Sequence, residues 1–218
     1  MYNIILLGPA GSGKGVQSDL LADYLSIPHI STGKLLRKIA EEDKSEIGQM
    51  IHEAISSGNM IDDKNMIDIL KRRLSQDDCK KGFVLDGFPR NVYQARQLEE
   101  ISKIANDNKN VIINLDIPDD VIIKRTTGRY TCKKCGAVYN KYYGNTAVEG
   151  ICDVCGGKDF DIREDDSDLK SVRRRIDIYN NMSNAIIDFY RKKNLIYFVN
   201  GVNLKDKIHE HIKNILNV

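Results

Sequence analysis

The sequence has no excess charge of either sign, no long apolar run and only four histidines. Thirty-three Lys and Arg stand against 31 Asp and Glu, a net of +2, so no overall electrostatic footprint for nucleic acid is present. No apolar stretch approaches the roughly 18 residues that span a bilayer. No secretion signal is legible either, because Met1 leads directly into the strand-like YNIILL. A cytoplasmic protein without membrane contact is expected. No Pro-rich linker, long-period repeat or low-complexity tract divides the chain, and nothing in it calls for a Ser-His-Asp or Cys-His arrangement.

What is present is an ordinary hydrophobic content of 41% over 218 residues, arranged as short apolar runs alternating with amphipathic stretches. NIILL, GFVLDG, NVIINLDIP and LIYFVNG read as buried strands. VQSDLLADYL, STGKLLRKIA, EIGQMIHEAISSG, DDKNMIDILKRRL, VRRRIDIYNNMSNAIIDFYRKK and KDKIHEHIKNIL read as helices. Ser31 or Thr32 is a plausible N-cap for the second of these, and Gly58 a stop for the third. The fourth carries acids at its start and bases at its end, as the helix dipole favours. Alternation of this kind predicts an α/β fold, a central parallel sheet with crossover helices on both faces. Residues 129–163 break the pattern: helical period gives way to Gly, Cys and Tyr, and the segment reads as an inserted minidomain.

GPAGSGKGVQ, residues 8–17, lies between a strand and a helix and fits the phosphate-cradling pattern from Gly8 to Gly13, with Lys14 next. Such a turn lets backbone N–H groups approach phosphate oxygens, the helix N-terminus adds partial positive charge, and Lys14 reaches the β- and γ-phosphates. The pattern then asks for a hydroxyl on Mg²⁺, but Gly15 and Val16 have none. Asp86, at the end of FVLD, stands where such folds place the acid that orients Mg²⁺.

Cys132-x-x-Cys135 and Cys152-x-x-Cys155 are separated by 16 residues. In a chain with no secretion signal this spacing points to a closed, tetrahedral and therefore structural Zn²⁺ site. Cys79 lies outside the set and is expected to be a packing residue. A zinc ribbon rich in Tyr suggests nucleic-acid stacking as an alternative. Charge opposes it: residues 129–163 carry six Lys or Arg and four Asp or Glu, and the resulting +2 is cancelled by the formal charge of about −2 on Zn²⁺ with four thiolates.

GPAGSGKGVQ, ISTGKLLR, LDGFPRNVYQA, GRYTCKKCGAVY, REDD and VRRRIDIY occur in that order, and together they resemble adenylate kinase over essentially the whole chain. The resemblance implies a P-loop core in residues 1–30, 62–128 and 164–218, a helical AMP-binding insert at 31–61 and a zinc-binding lid at 129–163. It implies reversible transfer from Mg-ATP to AMP giving two ADP, in a monomer. In this family Gly follows the loop Lys, and magnesium is held largely through waters and the nucleotide's phosphates.

On the ATP side the resemblance implies Gly11, Ser12, Gly13, Lys14, Gly15 and Val16, with Arg129, Val138 and Tyr139 from the lid and Asn203 after the last strand. On the acceptor side Thr32 would meet the adenine and Arg37 the AMP phosphate. Asn59, Met60 and Ile61 would flank the base, with Gly87, Phe88, Pro89, Arg90 and Gln94 opposite. Gln94 offers both a donor and an acceptor to a purine edge. Arg90, Arg125, Arg163 and Arg175 are expected to hold two phosphate chains in line beside Lys14, a task suited to bidentate guanidinium forks. Between REDD and VRRRI this chain is one residue longer than the family spacing. Counting from Arg163 selects Arg174, whereas helical register selects Arg175, which is preferred.

Two departures stand out. The family has Thr at Val16 and Asp at Lys34. Lys34 either weakens magnesium assistance or swings to solvent, as most lysines do. The alternatives to adenylate kinase are a nucleoside monophosphate kinase with another acceptor and a zinc-ribbon nucleotide-binding protein of low activity.

Overall fold

A computed structural model describes residues 1–56, 61–162 and 164–218. Strand β1 (Tyr2–Leu7) is buried at five of its six positions, and its side chains alternate between two faces, as a pleated strand requires. Ile5 and Leu7 join one apolar cluster, Ile4 and Leu6 the other. A near-continuous apolar strand is what a sheet covered on both sides needs.

Four strands extend this one in parallel: β2 (His29–Ser31), β3 (Phe83–Asp86), β4 (Lys109–Asp116) and β8 (Ile196–Asn200), in the order β2-β3-β1-β4-β8. Helices α1 (Lys14–Leu25) and α9 (Lys205–Leu216) cover one face through Leu21, Ile208 and Ile212. The other face packs α3 (Glu46–Ser56), α4 (Asp63–Leu74), α5 (Val92–Ala105) and α8 (Leu169–Arg191) through Ile51, Leu70, Leu98 and Tyr190. Helix α2 (Thr32–Glu42) leans on that cluster through Leu35, Leu36 and Ile39.

The chain leaves β1 for one face and β3 for the other. These neighbouring strands therefore open a crevice beyond their carboxyl ends, where ligands bind in open α/β sheets. The phosphate loop and Asp86 both lie there.

Helix α6 (Asp119–Thr127) packs on α8 through Ile122, Val172 and Ile176. The chain then builds a separate antiparallel sheet from β5 (Arg129–Cys132), β6 (Val138–Asn140) and β7 (Phe160–Asp161), ordered β6-β5-β7. Short helix α7 (Glu164–Ser167) returns it to α8. No helix among the described residues is long and apolar enough to cross a membrane.

Candidate active site

The phosphate loop runs from Gly8 to the N-terminus of α1. Gly11 and Gly13 take positive φ angles of 83° and 94°, which L side chains rarely adopt, and a Cβ on Gly11 would collide with the Thr126 hydroxyl on α6. Ser12 is buried and its N–H donates to the Pro9 carbonyl at 3.2 Å. Lys14 curls into the loop, where its ammonium donates to the carbonyls of Gly8 at 2.6 Å and Pro9 at 2.8 Å. Burial lowers the pKa of Lys14 to about 8; Asp86 opposes this, while the positive charges of Arg90 and Arg129 add to it. The charges of arginines from two other segments are thus felt at the loop's lysine.

Asp86 closes the crevice from β3. A Cβ on Gly15 would lie 3.9 Å from its Oδ2, so the position after the lysine faces the carboxylate directly. Val16 is exposed on the first turn of α1. Asp86 Oδ1 accepts from the Ser31 hydroxyl at 3.1 Å, and Oδ2 pairs with His29 Nε2 at 3.0 Å. The other ring nitrogen of His29 lies 2.6 Å from Asp19. Burial disfavours the charged imidazole, but the two carboxylates outweigh it and raise the pKa of His29 to about 8. For Asp86, burial is likewise outweighed by His29, Lys14 and Ser31, and its pKa is lowered. Such a carboxylate, ionised and hydrogen-bonded beside a phosphate loop, fits a magnesium ion that keeps most of its waters. Lys34 stands at the surface with its ammonium 4.0 Å from Asp19.

On the acceptor side, Thr32 begins α2. It is buried, its hydroxyl donates to the Asp86 carbonyl at 3.2 Å, and it packs on Gly87, where φ is 81°. Ser31 is the N-cap of α2 but makes no side-chain cap bond, its hydroxyl being spent on Asp86. The Arg37 guanidinium folds back over Gly33 in the first turn of α2, 3.6 Å from where its Cβ would be. Phe88 and Pro89 are buried and joined by a cis peptide bond. Arg90 Nε donates to the Gly87 carbonyl at 3.0 Å. Gln94 is buried, and Ile61 is half-buried against the core. Asn59 and Met60, expected beside the base, lie outside the described residues, as do Gly58 and Arg163.

Arg129 and Arg175 meet on one carboxylate. Asp166, 1% exposed, accepts from Arg129 Nε and Nη2 at 2.8 and 2.6 Å, and from Arg175 Nη2 at 2.7 Å. Arg175 is half-buried on this side of α8 while Arg174 is exposed, so of the two it is Arg175 that joins this carboxylate. The Arg125 guanidinium donates to the Gly201 carbonyl at 2.7 Å and lies over the Tyr143 ring, and Asn203 is exposed.

In the lid the four cysteine Sγ atoms lie within 4.8 Å of one another. Cys132–Cys155 and Cys135–Cys152 are 3.6 and 3.5 Å apart, close to the roughly 3.8 Å edge of a zinc tetrathiolate with 2.3 Å bonds. The two halves match. Gly136 N–H donates to the Cys132 carbonyl and Gly156 N–H to the Cys152 carbonyl, both at 2.8 Å and both with left-handed φ. The residues present fit the metal. Val138 is exposed, but the Tyr139 side chain is buried: its hydroxyl lies 3.2 Å from Cys152 Sγ and accepts from Asp153 N–H at 2.8 Å. Tyr139 thus has only its main chain left for a nucleotide. Cys79 is buried away from this cluster, and burial raises its pKa to about 11, as suits a packing residue.

Sequence reasoning missed His29, Asp19, Asp63 and Asp166. Asp166 sits inside the REDD motif, and Asp63 was legible only as a complement to the α4 dipole. No sequence signal pairs His29 with two carboxylates.

A family model described as adenylate kinase matches residues 6–195. The chain is 39% identical over 214 residues to the adenylate kinase of Limosilactobacillus reuteri subsp. reuteri, 43% over 213 to that of Thermodesulfovibrio yellowstonii and 40% over 214 to that of Archaeoglobus fulgidus. These alignments cover 98% of this chain in all three cases, and 98%, 98% and 97% of the relatives respectively. With a phosphate loop, a converging set of arginines and this likeness in hand, the chain belongs to the adenylate kinase family of phosphotransferases.

Proposed function

We propose that the protein transfers the terminal phosphoryl group of Mg-ATP to AMP, reversibly, giving two ADP, and that it does so as a cytoplasmic monomer. The observation that carries this is the glycine loop with the Lys14 ammonium folded into it and Asp86 facing it across Gly15, near the pair Arg129 and Arg175 that share Asp166 within the same chain. Phosphoryl transfer asks a protein for in-line positioning and charge neutralisation more than for covalent chemistry.

In this reading residues 1–30, 62–128 and 164–218 form the body, residues 31–61 bind the acceptor, and residues 129–163 close over the donor. The loop N–H groups of residues 11–16 and the ammonium of Lys14 hold the donor's β- and γ-phosphates. Arg37 and Arg90 hold the acceptor phosphate, and Arg125, Arg163 and Arg175 neutralise the group in transit. Arg129, Val138, Tyr139 and Asn203 frame the donor nucleotide. Thr32, Asn59, Met60, Ile61, the Gly87–Arg90 turn and Gln94 frame the acceptor base.

The chemistry a bound magnesium supplies is charge neutralisation across the β- and γ-phosphates, with Asp86 orienting its waters. Zinc on Cys132, Cys135, Cys152 and Cys155 is structural in this reading, because four thiolates leave no open position. Lid closure excludes water, so the phosphoryl group passes to AMP and not to hydrolysis.

The test is to incubate the protein with Mg-ATP and AMP, GMP, CMP or UMP in turn and to quantify every nucleotide by chromatography. Rapid ADP formation with AMP alone is expected. Preference for another acceptor overturns the substrate and keeps the mechanism. Absence of turnover with all four overturns both.

A further inference from the structure

Gln94 is held from two sides by groups of opposite kind. Its Oε1 accepts from the backbone N–H of Arg90 at 2.6 Å, and its Nε2 donates to Asp63 Oδ1 at 2.7 Å. An amide can turn over about its terminal bond with almost no change of shape, which exchanges donor for acceptor. Here the turned form would set an NH₂ against an N–H and an oxygen against a carboxylate. Gln94 is 1% exposed, so no bulk water compensates, and a buried unmatched polar group is costly. One orientation is therefore fixed.

Asp63 is free to do this because a neighbour does its other job. The N-cap of α4 is Asp62, which accepts from Asn65 N–H at 3.0 Å. The Asp63 carboxylate instead reaches across to the start of α5. There it also accepts from Asn91 Nδ2 at 3.1 and 2.9 Å, while Asn91 Oδ1 caps the Gln94 N–H at 2.8 Å. As an acceptor only, a carboxylate can match just one face of the glutamine amide.

We propose that Asp63 is a specificity-determining positioning residue: by fixing the Gln94 amide, it makes the acceptor site take a 6-aminopurine and reject a 6-oxopurine. The proposal rests on the reading that Gln94 faces the acceptor base. After its two protein partners, Gln94 has one lone pair on Oε1 and one N–H on Nε2 left. A 6-aminopurine offers the complement, an amino donor at position 6 and a ring acceptor at N1. A 6-oxopurine offers the reverse at both positions and leaves both sides unmatched. A site built to hydrogen-bond one such edge rejects the other far more strongly than an apolar pocket would.

The experiment compares kcat/KM for AMP and for inosine monophosphate, which reverse the two edge groups, at saturating Mg-ATP in the full-length protein. In Asp63→Asn the neighbour of Gln94 both donates and accepts, so of the two groups that fix the amide only the Arg90 N–H remains. The AMP:IMP ratio is expected to fall about tenfold, chiefly through KM for the nucleotide. Asp63→Ser, equally ambivalent, is expected to do the same and serves if the asparagine variant does not fold. Gln94→Leu is run alongside as the control on the base contact. A ratio retained in both Asp63 variants but lost in Gln94→Leu overturns the role of Asp63 and leaves the base contact standing. A ratio retained in Gln94→Leu as well overturns the base contact and the proposal with it. An equal loss of rate with both nucleotides in the Asp63 variants shows a purely structural residue and also overturns the proposal.

Discussion

The body and the lid are stabilised in different ways. Among the described residues, the body's two largest apolar clusters contain 19 and 12 buried side chains, whereas that of residues 129–163 contains three: Cys132, Tyr139 and Cys152. A unit so poor in core cannot offset the entropy of ordering its chain by apolar burial alone. What it has instead are four cysteine sulfurs set close together and the aromatic contacts around them, Tyr130 on Tyr139 at 5.6 Å and both against Phe160. Within one chain, the body is held by its core, and residues 129–163 offer in its place a cluster that fits a structural metal.

The strongest way to break that comparison is at the metal. Structural zinc contributes on the order of 10 kcal/mol to folding in small domains. Cys152→Ser, or stripping with a chelator, is expected to abolish hydrogen-exchange protection in β5 and β6 and to cut turnover at least tenfold. The unfolding free energy of the body in urea should change by less than about 1 kcal/mol. A body that unfolds together with the lid would show that the two are not separable.

The next largest effect is expected on the other side. Leu85, fully buried in β3 between β1 and β2, becomes a cavity in Leu85→Ala, at a cost of about 3 kcal/mol by urea unfolding. Zinc affinity measured by chelator competition should not change. Zinc loss under native conditions would tie the lid's site to the body's packing.

The smallest effect is expected from His29. Its two carboxylate partners raise its pKa to about 8, above the 6.5 of an ordinary histidine. The stability it contributes is therefore fully present below pH 6.5 and is lost as pH rises through 8. The shift corresponds to at most about 2 kcal/mol. Urea unfolding at pH 6 and pH 9 should show that fall in the parent and a flatter response in His29→Gln. Equal pH dependence in both would remove His29 from the account.

The sheet was legible because its strands are apolar on both faces, so short runs such as NIILL and FVLD stand out from their surroundings. The phosphate loop and the cysteine pairs were legible because their spacing is itself chemistry. Strand β2 and helix α6 were not, being short segments of three and nine residues whose form depends on their neighbours. The polar contacts of the site were the least legible part. Asp63 reaches Asn91 and Gln94 across 28 and 31 residues, Arg129 reaches Asp166 across 37, and His29 reaches Asp86 across 57. Only the fold brings such groups together. Tyr139 shows the same limit: it was expected to touch a nucleotide, and its hydroxyl is turned to Cys152.

The position of β1 also bears on how the chain is made. The strand that leads into the phosphate loop sits mid-sheet, yet both its partners are encoded later, β3 beginning at Phe83 and β4 at Lys109. At about 5–20 residues per second on a ribosome, the gap from Leu7 to Phe83 lasts roughly 4–15 s. For that interval an apolar strand waits without a neighbour, open to pairing with another nascent chain. In time as well as in space, the catalytic loop hangs from the segment that is synthesised early and secured late.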